Sequence, residues 1–232
     1  KVLRKSLLDI GCGRGGDLMK IYHSRIGEYV GFDTDYEGIY SISDGAISRY
    51  NYLKSKYPDF GKVTYLQADG GILLEPEIQS RSLGNLSNEN KKRIETIFTK
   101  DRKFDIISSQ FAIHYLFGTQ NSIENLIKNI DTFLKKDGYV LLTLFDAELI
   151  DKAFGNTNKI TSYYTDEEGQ RNILYEIVKK YDGKLSDDIG KSINVHMSWI
   201  SDEGKYIEEF IVSQKLMINT MKKANCRLVD TD

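Results

Sequence analysis

Between positions 7 and 18 the chain reads Leu7-Leu8-Asp9-Ile10-Gly11-Cys12-Gly13-Arg14-Gly15-Gly16-Asp17-Leu18, and this stretch limits the possible fold more than any other. Apolar residues lead into an acid, four glycines follow within six positions, and Leu18-Met19-Lys20-Ile21-Tyr22 can wind as a helix. A buried strand, a tight turn and a helix N-terminus in that order bring bare backbone against a nucleotide-like ligand. The spacing Gly11-x-Gly13-x-x-Gly16 fits a dinucleotide fingerprint. Asp33, after Tyr29-Val30-Gly31-Phe32, stands where a ribose-binding acid belongs.

Asp9 points to a different ligand. A carboxylate two residues ahead of the first glycine repels pyrophosphate, but it suits a cation that carries an amino group and no phosphate. S-adenosylmethionine (SAM) is such a ligand. Asp17 adds negative charge at the helix start, which the helix dipole favours and a bound phosphate would not. The plainer alternatives are that Asp9 braces the glycine turn and that Asp17 caps the helix.

A chain of 232 residues holds one α/β domain with a full core. The formal net charge of −2 excludes a uniformly basic coat, so any RNA contact must come from local clusters. Cys12 and Cys226 are the two cysteines, which gives no disulfide framework and makes a reducing compartment the expectation. His23, His114 and His196 lie in unrelated contexts without short-range metal spacing, so no metal is expected. Apolar runs fall short of the roughly 18 residues of a membrane span, and no membrane association is expected. The first strand begins only a few residues in, and Asp230-Thr231-Asp232 follows strand-like sequence, so both ends read as cuts from something longer.

Strands are predicted up to Ile10, at Tyr29–Phe32, Lys62–Ala68, Phe104–Phe111 and Tyr139–Phe145. Helices are predicted at Asp17–His23, Ser41–Tyr57, near Asn90–Thr99, and at Ser122–Lys135. Alternating strands and helices, with strands apolar on both faces, mean a mostly parallel sheet flanked by helices: an α/β, Rossmann-like fold. Its ligand belongs at the carboxyl ends of the strands, where the turn after Asp9, then Asp33, Asp69 and Gln110 all fall. Two polar regions, about 70–103 and 146–192, read as insertions, the first a surface excursion and the second lying before the last strands. Asn172–Tyr181 reads as helix or strand and Ile193–Ile200 as a half-exposed strand, and Glu208-Glu209-Phe210-Ile211-Val212 follows. Gln214–Ala224 reads as a helix and Cys226–Val229 as a last strand.

At this point the chain resembles the mRNA cap guanine-N7 methyltransferases over nearly its whole length. The resemblance rests on Leu8 to Leu18, Arg49-Tyr50, Ala68-Asp69, Gln110-Phe111-Ala112-Ile113-His114-Tyr115, Lys136-Asp137-Gly138-Tyr139 and Glu209-Phe210. The glycine block is shared by many SAM enzymes, whereas Gln110 to Tyr115 together with Glu209-Phe210 is far more specific. Arg49-Tyr50-Asn51 and the long variable regions resemble the branch found in multifunctional capping enzymes of large cytoplasmic DNA viruses. The resemblance implies one class I SAM-dependent methyltransferase domain over 1–232, part of a longer chain. It implies SAM as cofactor, held by Asp9, Gly11, Asp17, Asp33, Asp69, Gln110 and Tyr115. Asp33 would take the ribose hydroxyls, Asp69 the adenine amino group, and Asp9 and Gln110 the methionine end. Arg14, Lys20 and Arg49 would face the cap triphosphate, and His114, Tyr115 and Glu209 would surround the guanine. Arg14 stands where many members carry lysine; both are cations, and arginine adds a bidentate grip on phosphate. The family also uses a lysine and an asparagine upstream of the first strand and a tyrosine in a strand after the last helix, none of which can be assigned here. Implied partners are capped RNA, other capping domains of the same chain or a stimulatory subunit. The implied compartment is the host cytoplasm or virion for a viral enzyme, the nucleus for a cellular one.

The chemistry suits these residues. Guanine N7 is an unprotonated lone pair, so methylation needs no acid or base, only alignment and electrostatics. Without the family, Glu209 reads as a solvated acid, His114-Tyr115 as a packed aromatic pair, Arg49 as an exposed cation and Cys12 as turn packing. A nicotinamide-dependent oxidoreductase and a non-catalytic methyltransferase-like scaffold are the competing functions. Asp9 and Asp69 weigh against the first, and the retained acids Asp9, Asp33 and Asp69 against the second.

Overall fold

The computed structural model describes residues 4–229 except 85, 184, 186, 200, 201 and 203. Its centre is a parallel sheet of β1 (Ser6–Ile10), β2 (Glu28–Asp33), β3 (Lys62–Gln67), β4 (Phe104–Gln110) and β5 (Leu134–Thr143), in the order β3-β2-β1-β4-β5. Alternation along each strand sends neighbours to opposite faces. Leu8, Val30 and Leu66 therefore join one apolar layer with Ile123, Leu126 and Ile130 of α6 (Gln120–Phe133). Leu7, Tyr29 and Tyr65 join the other, with Leu18 and Ile21 of α1 (Leu18–His23). Both faces are covered, which is why the strands read as continuous apolar runs. The chain leaves β1 toward β3 and returns to β4 on the other side, so the strand order reverses beside β1.

The predicted helix over Ser41–Tyr57 starts later, as α3 (Ala46–Lys56), and a separate short helix, α2 (Tyr36–Tyr40), precedes it. Gly45 lies at the break, where an added Cβ would stand 2.5 Å from the Ser41 carbonyl oxygen. The region 70–103, expected as a surface excursion, instead packs α4 (Pro76–Leu83) and α5 (Asn88–Ile97) onto the sheet, with Leu74, Leu86 and Ile94 in the core. Buried carboxamides hold it. Gln79 Oε1 accepts from the Asp69 N–H at 2.8 Å, and its Nε2 donates to the carbonyls of Asp69 and Leu73. Asn90 caps Gln67 in the same way, and Asn129 bonds the backbone of Gly70, Ile72 and Leu74. Replacing Gln79 with leucine strands one N–H and two carbonyls in the core. The change should lower unfolding free energy by about 3 kcal/mol, read by urea denaturation. A loss below about 0.5 kcal/mol, the size of an ordinary surface substitution, would contradict this role.

After α7 (Ala147–Phe154) comes a second, antiparallel sheet, of which the sequence predicts a strand at Ile193–Ile200 and leaves Asn172–Tyr181 open between helix and strand. It consists of β6 (Lys159–Thr165), β7 (Arg171–Lys179), β8 (Ser192–Met197) and β9 (Ile207–Phe210), in that order. The register aligns Ile160, Ile177 and Val195 on the face that packs with Ala147 and Phe154. The polar-looking region 146–192 therefore holds a helix and two strands, and Asn172–Tyr181 resolves as strand. The predicted strand Ile193–Ile200 ends at Met197, and Ile200 itself lies outside the described residues, as does Asp230-Thr231-Asp232. α8 (Gln214–Lys223) follows, capped by the Ser213 hydroxyl. Cys226–Val229, predicted as a strand, is not one. It has strand-forming residues but no partner strand among the described residues, and it lines a groove of about 1530 Å³ beside β5 and α8. Among the described residues no helix is long and apolar enough to cross a membrane.

Candidate active site

The loops at the carboxyl ends of β1, β2 and β4 meet above the strand-order reversal. Gly11 and Cys12 donate their N–H groups to the Phe32 carbonyl, at 2.9 and 3.1 Å, which ties the glycine turn to β2. Gly11 has φ 76°, and an added Cβ would lie 2.3 Å from the Ala112 Cβ, so only glycine lets the turns after β1 and β4 touch. At Gly13 and Gly16 an added Cβ would meet nothing within 4 Å, leaving an open cradle of backbone. Asp33 closes one side of it: Oδ2 accepts from the Gly13 N–H at 2.8 Å and Oδ1 from the Asp35 N–H at 3.0 Å.

Asp9 lies beneath the turn and is only 4% exposed. The Tyr29 hydroxyl donates to its Oδ2 at 2.7 Å, while Oδ1 has no hydrogen-bond partner. Burial pushes its pKa up to about 6; Tyr29 and Ser108 oppose the rise, and Asp17 and Asp33 add to it. Asp17 precedes α1 without capping it; its carboxylate instead pairs with Lys20 at 2.5 Å. Asp69 lies two residues past β3, its Oδ1 accepting from the Gly71 N–H at 2.7 Å. Gln110 ends β4, where Nε2 reaches the Ser108 hydroxyl at 3.1 Å and Oε1 accepts from Thr143.

Two groups of predicted substrate residues come together separately. Arg14 pairs with Asp44, and Arg49 Nε donates to the Asp44 carbonyl at 3.1 Å, so the two guanidinium groups share one anchor. Ser41, then Arg14 and Ser43, hold the Asp44 carboxyl below its ordinary range. Lys20 is engaged with Asp17 instead. On the other side, β9 brings Glu209 to the 3₁₀ turn Ile113–Gly118 that follows β4. Glu209 Oε2 lies 3.1 Å from His114 Nε2, and the Tyr115 hydroxyl donates to Oε1 at 3.4 Å. The His114 contact is a close approach without a well-aligned hydrogen bond to either ring nitrogen. Burial, with Glu209 alongside, pushes the Tyr115 hydroxyl up to about 12.

Sequence reasoning overlooked three residues here. Phe111 has φ 53°, a left-handed conformation rare for a bulky residue, and the residue is 57% exposed. Phe145 lies 6.1 Å from Phe111 and 6.3 Å from His114 between ring centroids, so the site has an aromatic wall from two strand ends. Asp44 is the third. No spacing rule marks it, because its partners come from separate elements, Arg14 from the glycine turn and Arg49 from α3. Among the described residues no group of three histidines, cysteines or acids could hold a metal ion.

The sheet order, the glycine turn after β1 and the acid ending β2 are Rossmann-like, and the fold is that of class I SAM-dependent methyltransferases. A solved SAM-dependent methyltransferase from Clostridium acetobutylicum ATCC 824 shares it with TM-score 0.54 and 15% identity, over 96% of this chain and 73% of that one. The chain belongs to the mRNA (guanine-N(7))-methyltransferase domain family, whose model matches residues 2–231. It is 37% identical over 227 residues to a probable mRNA-capping enzyme of Acanthamoeba polyphaga mimivirus, covering 97% of this chain and 19% of that protein. It is 31% identical over 151 residues to mRNA cap guanine-N(7) methyltransferase 1 of Arabidopsis thaliana, covering 63% of this chain and 35% of that protein. The chain thus spans well under half the length of either relative.

SAM fits the residues present. A buried carboxylate with one unsatisfied oxygen suits a cationic amino-acid end, and the open glycine cradle beside Asp33 suits a nucleoside without phosphate.

Proposed function

We propose that this chain is an mRNA (guanine-N7)-methyltransferase domain that moves a methyl group from SAM to N7 of the guanosine cap of RNA. The observation that carries the reading is Glu209. It is set against His114 and Tyr115 by a strand from the second sheet, at the end of β4 where the donor site opens.

When bound, SAM supplies a methyl group already activated by its sulfonium. Asp9, Gly11, Asp17, Asp33, Asp69, Gln110 and Tyr115 hold it. Glu209 accepts from the N1–H and exocyclic amine of guanine, which adenine cannot offer in that pattern, and so selects the base. Methylation leaves positive charge on the purine, and the Glu209 carboxylate stabilises that charge as it develops. His114 and Tyr115 close the sides of the guanine site. Arg14 and Arg49 take the triphosphate from their shared anchor at Asp44, and Lys20 joins them by leaving Asp17. No residue acts as acid or base, because N7 carries no proton. Alignment in a water-poor site supplies several kcal/mol.

In this reading residues 1–232 form one domain of a longer capping enzyme working in the cytoplasm, where capped RNA is the partner and other capping domains or a stimulatory subunit act beside it. Transfer of labelled methyl from SAM to guanosine-capped RNA, against an adenosine-capped control, tests it. A domain that binds SAM but labels neither RNA would favour the scaffold reading.

A further inference from the structure

Asp9 is set by a residue that no substrate reaches. The parallel register pairs Leu7 with Tyr29 and Asp9 with Gly31, so Tyr29 starts two residues short of the acid on the neighbouring strand. Gly31 lets the tyrosine cross that distance. A Cβ there would lie 2.7 Å from the Tyr29 hydroxyl and 2.9 Å from the Tyr65 ring. With no side chain in the way, the ring lies along the sheet and its hydroxyl meets Asp9 Oδ2 at 2.7 Å. Tyr65 packs edge-on against it, 5.6 Å between centroids at 69°, and Tyr29 is 1% exposed. The ring has one place to be, and Asp9 Oδ1 is left without a partner.

We propose that Tyr29 is a positioning residue of the donor site, whose hydroxyl bonds one oxygen of the buried Asp9 carboxylate and so keeps it an anion, with its second oxygen free for the cationic end of SAM. This rests on the reading of Asp9 as a SAM ligand given above.

The surroundings show why such a donor is needed. Burial opposes ionisation of Asp9, and so do the charges of Asp17 beyond the glycine turn and Asp33 at the end of β2. Cys12 in the turn and Tyr65 on β3 are held neutral by the same burial, and Ser108 on β4 offers a weaker donor. Lys20, the cation that senses Asp9, is paired with Asp17. Tyr29 is the strongest influence favouring the carboxylate. The sign follows: removing its hydroxyl raises the pKa of Asp9, so a higher pH is needed before SAM meets an anion.

Calorimetric titration of SAM into wild type, Y29F and D9N from pH 5 to pH 9 tests this. Each affinity is taken as a ratio to wild type at the same pH, so that the ligand's own titration cancels. Loss of one hydrogen bond to a charged group should move the Asp9 midpoint up by about one pH unit. From a wild-type pKa of about 6, Y29F should then bind about twofold more weakly at pH 7, about fivefold at pH 6, and equally at pH 9. Equal binding at pH 9 also shows that the variant is folded. A Y29F ratio of one at every pH would overturn the proposal. So would a constant deficit that pH 9 does not relieve, which is what simple core damage would give. D9N separates the two ideas. If it binds SAM like wild type throughout, the reading of Asp9 fails; if it binds weakly and Y29F is indistinguishable from wild type, only the role of Tyr29 fails.

Discussion

Glu209→Gln is expected to cut methyl transfer to capped RNA by about two orders of magnitude while leaving the SAM dissociation constant within about twofold. Losses of this size follow removal of one group placed against developing charge in a water-poor site. The substitution keeps the shape of the side chain, so β9 should still pair with β8, where Glu209 lies opposite Ile193. It removes the negative charge beside His114 and Tyr115 and turns one acceptor oxygen into a donor facing the guanine N–H groups. An independent readout is the Tyr115 hydroxyl, which burial raises most and Glu209 raises further; its titration, followed by ultraviolet absorbance, should move part of the way down in the variant. Transfer at the wild-type rate with the guanosine cap would remove Glu209 from the base-selecting role.

Asp33→Ala should weaken SAM binding by about a hundredfold, with transfer falling only as far as occupancy does at subsaturating SAM. The carboxylate does two jobs. It accepts from the Gly13 and Asp35 N–H groups and so shapes the cradle, and it offers its remaining lone pairs to the ribose hydroxyls. Alanine loses both, and two hydrogen bonds to a charged group account for an effect of that order. Gly13 also becomes free to sample other conformations, since nothing packs where its Cβ would be. An unaltered affinity by calorimetry would take Asp33 out of the ribose site.

The parallel sheet was legible because its strands carry short apolar runs with a polar residue at or near the carboxyl end (Asp9, Asp33, Asp69, Gln110), and because glycines mark the turn after β1 where backbone must come close. Helix α6 was legible for a similar reason, its apolar residues recurring at helical spacing. The packing of 70–103 was not, since buried Gln79, Asn90 and Asn129 hold it through backbone hydrogen bonds, and a carboxamide in a polar stretch looks solvated. Of the antiparallel sheet, β8 alternates visibly, but β9 with its adjacent Glu208 and Glu209 does not, nor does β6, with Tyr163, Tyr164 and Thr165 all exposed. Cys226–Val229 has strand-forming residues, yet strand formation depends on a partner, which local sequence does not encode. Within the site, Asp9, Gly11, Asp33 and Gln110 could be placed on one sheet edge from strand ends alone. The meeting of Tyr115 with Glu209, 94 residues later, needed the family pattern to foresee. The shared anchor of Arg14 and Arg49 on Asp44, and the hold of Tyr29 on Asp9, follow from side-chain reach across strands and loops, and no spacing in the chain announces them.

The most direct measurement is methyl transfer from radiolabelled SAM to three short RNAs, one with an unmethylated guanosine cap, one with an adenosine cap and one uncapped, followed by digestion to locate the label. Label at guanine N7 of the guanosine-capped RNA alone is the expected result. Label on the adenosine-capped or uncapped RNA, or at any position other than N7, would contradict the proposed function. So would no label from a domain that calorimetry shows to bind both SAM and the capped RNA.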